Sequence, residues 1–478
     1  MNHVAAILGA GVIGAGWAAR FALMGWQVRI FDPDPAAAAR VGAALENARR
    51  ALPGLHDSPL PPEGAVILAD RISWAVQGAD WIQESVPERL ELKHTLYQKV
   101  QENCARDVIL ASSSAGFTPS ALQGPGARRC PVLVARPADP VYLLPLVELV
   151  AAPDAPPATL ARARDLLAGI GMAPLLLRAG TEGQIADRLT GALWREALWL
   201  VQEGIATTAE IDRAIRLGPG LSWAQAGPFG ARLLAGGEEG LAPALARLGT
   251  ETRLADLPEA SETLARTLAE QSDAATGGVP VAELLRARDT DLVALLRALR
   301  GTGAEAGAHL AAFDAARQPP PGDEARPLLT QDRAVPLDWT DYNGHMTEAR
   351  YLHAFGDATD RFMEIIGCDA DYIAAGASFF TAETHIRHLA ELHAGARFRV
   401  ETTLLEAGGA KMHLFHRMLA GETLAATGEH LLLHVSLATR RSTPPGPGIA
   451  RRLARIAEAH AALPRPDGAG RAVGQKPG

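Results

Sequence analysis

Cysteine is scarce in this sequence: three residues in 478, Cys104, Cys130 and Cys368. An odd number at long separations supplies neither a disulfide framework nor a metal-ligand spacing, so no metal is expected and a reducing cytoplasm suits the chain. Long apolar runs are also missing. No window reaches the roughly eighteen consecutive apolar residues that a membrane helix needs. Positive charge is not in excess: 46 Lys and Arg stand against 54 Asp and Glu, for a net charge of −8. That balance excludes electrostatic recruitment to nucleic acid or an anionic membrane. Aromatic residues are only 5% of the chain. The N-terminus enters an apolar strand almost at once, so no signal peptide is expected.

What is present is ordinary for a globular protein of two or three domains, with 48% hydrophobic and 21% charged residues. Residues 1–152 alternate strand and helix patterns. Expected strands are Val4–Leu8, Gln27–Phe31, Trp81–Glu84, Val108–Ala111, Val132–Ala135 and Leu146–Val150, with helices such as Ala36–Leu52 and Leu92–Cys104 between them. This predicts a doubly wound α/β domain. From 153 to 317 strand signals vanish, and apolar residues recur at helical spacing in Ile185–Ile205, Thr208–Leu217, Leu241–Leu248 and Leu284–Leu299. The segment 318–327, with QPPPGDE at Gln318–Glu324, reads as a stiff linker. Beyond it the period becomes two. A long helix near Thr347–Ile366 precedes alternating stretches at Ala396–Leu405, Lys411–Leu419 and Thr423–Ser436, which predicts an α+β domain over 328–440. A helical tail and disordered end are expected over 441–478. Ten of the 14 histidines fall from His345 onward, which marks the second half as a unit with its own chemistry.

The first half is organised around VAAILGAGVIGAGWAARFALMGWQVRIFDPD, Val4–Asp34. Gly9 allows a tight turn, Gly11 lets backbone approach a pyrophosphate, and Gly14 lets helix and strand sit close together. The phosphates would lie at the positive helix N-terminus. Asp32 ends the second strand, where a carboxylate accepts from ribose hydroxyls and repels a 2′-phosphate, so the expected cofactor is NAD rather than NADP.

This motif, with ESVPERLELK (Glu84–Lys93), LASSSAGFTPS (Leu110–Ser120) and VLVARPADPVYLLPLVELV (Val132–Val150), resembles the 3-hydroxyacyl-CoA dehydrogenase superfamily. Glu182–Thr208 and Trp223–Ala226 bring it closest to bacterial L-carnitine 3-dehydrogenases. The resemblance implies that Glu88 and Lys93 line the nicotinamide end of the cofactor site. It implies a base for the substrate hydroxyl made of a His held by a Glu twelve residues on, with a nearby Ser and Asn. The Glu is Glu148. The His position reads Arg136, the Phe-Asn after it reads Ala138-Asp139, and the late Asn position reads Asp187. The Ser position falls on Ala115, or on Ser114 if the alignment slips by one. A guanidinium cannot accept the hydroxyl proton, so slow dehydrogenase turnover is expected, with Arg136 favouring the ionised form of Glu148 beside it. Trp194, Trp199, Trp223 and Tyr142 are candidates for an aromatic surface against a trimethylammonium group.

In the second half, VPLDWTDYNGHMTEARY (Val335–Tyr351) places Asp341, Asn343 and His345 on a turn before the long helix. Asp341 can take a proton from water, and Asn343 and His345 can orient it. Backbone N–H groups of Gly344 and His345, if at a free helix N-terminus, can polarise a thioester carbonyl. The turn, the helix and the meander resemble hot-dog acyl-CoA thioesterases. Glu383–Leu389 resembles the thioesterase of carnitine breakdown, which acts on betainyl-CoA. Glu383 is then a second candidate base. His385, His388, His413 and His416 show no fixed metal arrangement. The expectation is a homodimer or larger that acts on carnitine-like and acyl-CoA substrates. Two other readings stay open: a thioesterase whose NAD-binding half regulates, and a sensor of NAD(H) and acyl-CoA without turnover.

Overall fold

The computed structural model describes residues 3–124, 130–236, 262–301, 304–317 and 319–470. The chain divides into two compact units, Met1–Ala51 with Pro61–Leu310, and Leu52–Leu60 with Ala311–Gly478.

The first unit holds an eight-stranded sheet. Its strands are β1 (Val4–Leu8), β2 (Gln27–Phe31), β3 (Val66–Leu68), β4 (Trp81–Glu84), β5 (Ile109–Ser112), β6 (Val132–Pro137), β7 (Leu146–Val150) and β8 (Ala173–Leu176). They lie in the order β3-β2-β1-β4-β5-β6-β7-β8, and all neighbours are parallel except β6 and β7. The central strands read as continuous apolar runs because both faces are covered: every residue of β4 and β5 is buried. Between the strands run α1 (Val12–Leu23), α2 (Ala37–Leu55), α3 (Ile72–Val76), α4 (Leu90–Asn103), α5 (Pro119–Gln123) and α6 (Pro157–Gly169). Helices α7 (Gln184–Gln202), α8 (Thr208–Leu217), α9 (Pro219–Ala235), α10 (Glu262–Thr276), α11 (Val281–Ala298) and α12 (Glu305–Ala315) follow.

The α/β and helical classes match expectation, but two strands of this sheet were not anticipated. β3 is three residues long, and β8 carries Pro174 at the sheet edge, so neither shows a period. β8 corrects the expectation that strands end before residue 153: the sheet runs to Leu176. The expected helix Leu241–Leu248, Gln318 of the linker and the expected disordered end at 471–478 lie outside the described residues. Cys104 and Cys130, far apart in sequence, bring their sulfurs to 3.7 Å as buried free thiols.

The second unit is a five-stranded antiparallel sheet, β9 (Leu328–Ala334), β10 (Ala377–His388), β11 (Arg397–Gly408), β12 (Lys411–Ala420) and β13 (Thr423–Ser436), ordered β10-β13-β12-β11-β9. Helix α13 (Glu348–Ile366) buries Tyr351, Phe355, Phe362 and Ile366, and Phe398, Val400, Thr402 and Leu404 alternate into the core from β11. Short α14 (Ala370–Ala374) leads into β10, and α15 (Pro447–Ala461) places Ile449, Leu453 and Ile456 in the same cluster as Phe362 and Leu404. This is one helix wrapped by a meander, the hot-dog arrangement.

Candidate functional site

The dinucleotide cradle forms as its glycines require. Gly9 has φ +92°, and a Cβ there would sit 2.7 Å from the Ser85 carbonyl oxygen. A Cβ on Gly14 would sit 1.9 Å from the Gly9 oxygen. Nothing lies within 4 Å of a Cβ placed on Gly11, so this side of the loop is open for a phosphate at the start of α1, which no side chain caps. Asp32 accepts from Ala10 N–H at 2.6 Å and Asp34 N–H at 2.8 Å, which fixes its carboxylate beside the loop. Its neighbour Arg40 reaches back to the Ala10 carbonyl and pairs with Asp34. An open glycine edge, an uncapped helix N-terminus and a fixed acid at the end of β2 fit NAD.

At the other end of this crevice, Lys93 is not exposed to a ligand. It is 1% exposed, with its ammonium on Glu84 at 2.8 Å, Glu88 at 3.2 Å and the Val86 carbonyl at 3.3 Å. Buried Glu84 also accepts from Ser112 Oγ and Tyr97 Oη. Burial, reinforced by Glu84, pushes the Tyr97 phenol well above its ordinary value. Lys93 therefore holds Glu88 in place from behind. Glu88 accepts from Gly116 N–H at 2.7 Å and from Ser114 Oγ, so it braces the turn that carries Ala115. Burial pushes the Glu88 carboxyl up, but these hydrogen bonds and the Lys93 charge outweigh it and hold the group below the usual carboxylate range.

Arg136 and Glu148 are register partners on antiparallel β6 and β7. Their side chains do not pair as expected. The Arg136 guanidinium turns to Asp187, with Nε at 2.9 Å and Nη2 at 3.4 Å from its two oxygens, and Nη1 donates to the Ser113 carbonyl. Glu148, 1% exposed, accepts from Ile185 and Ala186 N–H at 2.9 and 3.1 Å and so caps α7. The expected influence of Arg136 on Glu148 is corrected accordingly: a carboxylate one turn along α7 is the better bidentate partner. Each residue was visible in the sequence, but the pairing of 136 with 187 was not. Among the aromatic candidates, Tyr142 is buried and donates to Asp289, while Trp194 and Trp223 are exposed on α7 and α9.

In the second unit, Asp341 Oδ1 accepts from Asn343 N–H at 2.8 Å, and the Asp341 carbonyl accepts from Gly344 N–H at 3.0 Å. Gly344 has φ +77°. The chain doubles back, with Thr340 bridged to Met346 and His345 to His393. Asp341 and Asn343 are exposed, and His345 lies 3.3 Å from Glu391. Helix α13 starts only at Glu348, after the Thr347 N-cap. The expected pair of oxyanion donors is thus corrected: the Gly344 N–H is used within the turn, and neither Gly344 nor His345 is at the helix N-terminus. Glu383 is exposed on edge strand β10 beside a register shift, and among the described residues no hydrogen bond or ion pair ties it to the turn.

The histidines sort by strand face. His413 bonds Glu429 at 2.7 Å. His416, fully buried, lies between Thr402 Oγ1 at 2.8 Å and Thr359 Oγ1 at 3.1 Å, and His430 meets the same Thr359 oxygen at 3.0 Å. Thr359 donates to the Phe355 carbonyl, so each ring donates one N–H to its oxygen. Burial pushes His416 well below its ordinary value and His430 down to about 4. The unfolded chain takes these protons near 6.5. Their contribution to stability is therefore constant above about pH 6.5 and is lost as pH drops from there towards 4. His430 alone accounts for about 3 kcal/mol of that loss. Urea unfolding followed from pH 7.5 to 4.5 should show the midpoint of this unit dropping, with a flatter slope in His430→Leu. Among the described residues, no group of three or more His, Cys, Asp or Glu is placed to hold a metal, and no helix is long and apolar enough to cross a membrane.

Comparison with known proteins matches residues 4–180 to the 3-hydroxyacyl-CoA dehydrogenase NAD binding domain, 183–268 to its C-terminal domain, and 335–453 to the thioesterase-like superfamily. A Ruegeria pomeroyi protein named L-carnitine dehydrogenase/betainyl-CoA thioesterase is 55% identical over 480 residues, 98% of this chain and 99% of that protein. The chain belongs to the L-carnitine dehydrogenase/betainyl-CoA thioesterase family. An Agrobacterium fabrum member of the family is 45% identical, covering 98% of this chain and 97% of its own. A solved NAD+-dependent dehydrogenase acting on 5-formyl-3-hydroxy-2-methylpyridine 4-carboxylic acid superposes with a TM-score of 0.54 at 29% identity, over 63% of this chain and 99% of that one. The family's two-part name mirrors the two units found here.

Proposed function

We propose that the chain is a bifunctional enzyme of carnitine breakdown that oxidises the C3 hydroxyl of L-carnitine with NAD in the first unit and hydrolyses betainyl-CoA in the second. The observation that carries this is the end-to-end 55% identity, which spans both units in the same order. In the first unit Gly9, Gly11, Gly14 and Asp32 hold the dinucleotide, and Glu88, braced by Lys93, shapes the turn at its nicotinamide end. Bound NAD supplies the hydride acceptor. Glu148 takes the hydroxyl proton. Its Oε1 is committed to the α7 amides, and among the described residues no donor occupies Oε2. In the second unit Asp341 activates water while Asn343 and His345 orient it, with Glu383 as a further base.

Two assays test the reading. L-carnitine with NAD should yield NADH, and betainyl-CoA should release free thiol. Silence in the thiol assay across several short acyl-CoAs sinks the second half of the reading; absence of NADH sinks the first.

We further propose a homo-oligomer, with a cytoplasmic location. Of the nineteen residues of α7 only Gln184 and Val201 are buried, and α8 buries none. Leu189, Trp194, Leu217, Leu221 and Phe229 are all more than half exposed. An amphipathic face of this kind needs a cover, and a second copy of the chain is the simplest. Light scattering should return at least twice the monomer mass of 50.3 kDa. Charged substitutions at Leu189 and Phe229 should lower it, and a monomeric native protein contradicts the proposal.

A further inference from the structure

Gln184 combines three features that its surroundings do not explain. Its side chain is 0% exposed. Neither its amide oxygen nor its amide nitrogen has a hydrogen-bond partner among the described residues. Its backbone sits at φ +38°, in the left-handed region that non-glycine residues avoid. Each of these costs stability: a buried carboxamide normally finds partners, and strain of this kind persists only where the surroundings enforce it.

Its position is equally specific. The preceding residue, Gly183, donates its N–H to the Ala115 carbonyl at 2.6 Å. The next two residues, Ile185 and Ala186, donate to Glu148. Three residues on, Asp187 holds Arg136. The four positions at which the chain meets or leaves the dehydrogenase pattern, 115, 136, 148 and 187, therefore converge on the turn that carries Gln184.

We propose that Gln184 is a substrate-binding residue of the dehydrogenase centre, its carboxamide kept unpaired to hydrogen-bond the hydroxyl and carboxylate of a 3-hydroxy acid. This rests on the dehydrogenase reading above. A carboxamide suits the task because it both accepts and donates while neutral, so it accepts from a hydroxyl and donates to a carboxylate without repelling either. It holds no exchangeable proton for acid–base work, so its effect falls on binding and orientation.

The test uses the full-length protein and Gln184→Leu, which keeps a branched side chain of nearly the same bulk and removes both polar atoms. Two quantities are read: the melting temperature without ligand, and the affinity for L-carnitine of the NADH-saturated protein by calorimetry. The expected result is a melting temperature about 2–4 °C higher, because an unsatisfied amide is gone. L-carnitine affinity should fall about tenfold or more, with NADH affinity unchanged. If Gln184→Leu does not fold, Gln184→Gly serves, since it relieves the left-handed strain as well and should show the same loss of affinity. Wild-type affinity for L-carnitine in either variant overturns the proposal. Failure of the wild-type protein itself to bind L-carnitine sinks the dehydrogenase reading, and the inference with it.

Discussion

Asp341→Asn should leave the second unit folded and lower betainyl-CoA hydrolysis by about 10²–10⁴-fold, the usual cost of removing a general base. The variant is informative because Asp341 has two separable roles. Its Oδ1 closes an Asx turn on the Asn343 N–H, and its backbone carbonyl holds Gly344 N–H. An asparagine carbonyl can make the first bond, and the second does not involve the side chain, so the turn survives. What is lost is an oxygen able to take a proton from water. Asp341 is exposed at the turn, outside the apolar cluster between α13 and the sheet, so the melting temperature should move little. Loss of turnover with an unchanged melt assigns Asp341 the base role. Full activity in Asp341→Asn moves that role to Glu383, whose Gln variant should then be the inactive one.

Much of both units was legible because their periodicities are strong and local. The strand–glycine–helix–strand–acid run from Val4 to Asp32 occurs within one βαβ unit, and the structure reproduces β1 and β2 at the expected bounds. The alternation of Phe398, Val400, Thr402 and Leu404 into the core was equally direct, since one face of β11 is covered by α13. In the second unit β9 and β10, on either side of the long helix, were not anticipated, and in the first β3 and β8 were missed for the opposite reason. These last two are edge strands of three and four residues, too short to show a period. The site was less legible than the fold. Residue types at 88, 93, 136, 148 and 187 were visible, but not their partners: Lys93 is sequestered by Glu84, and Arg136 reaches across 51 residues to Asp187 rather than to its register neighbour. Pairings between side chains far apart in sequence follow from topology, which periodicity does not encode. His416 and His430 illustrate the same limit. The strand pattern gives their face, but only the structure shows that both rings converge on Thr359 in a buried setting, and it is that burial which disfavours a second proton.

Arg136→His should raise NADH production from L-carnitine by at least about tenfold, towards the 10²–10⁴-fold that a well-placed general base contributes. Arg136 and Glu148 are paired in register on β6 and β7, so their side chains leave the same face of the sheet about 5 Å apart. The long guanidinium passes Glu148 and closes on Asp187. An imidazole is too short for that reach and is set beside Glu148 Oε2, where a carboxylate orients the ring and stabilises its protonated form. Unlike guanidinium, imidazole gains and loses a proton near neutral pH, which is what departure of hydride from the carbinol carbon requires. The loss of the ion pair costs little, because Asp187 is one-third exposed and water replaces its partner, so about 1 kcal/mol or less of stability is at stake. Glu148→Ala should abolish the gain, since the new imidazole depends on it. The competing account gives Arg136 the substrate carboxylate to bind. On that account Arg136→His raises KM without raising kcat, while Arg136→Lys keeps most of the activity. Falling turnover in the His variant, with activity retained in the Lys variant, would show that the chain has exchanged a proton acceptor for an anion-binding group.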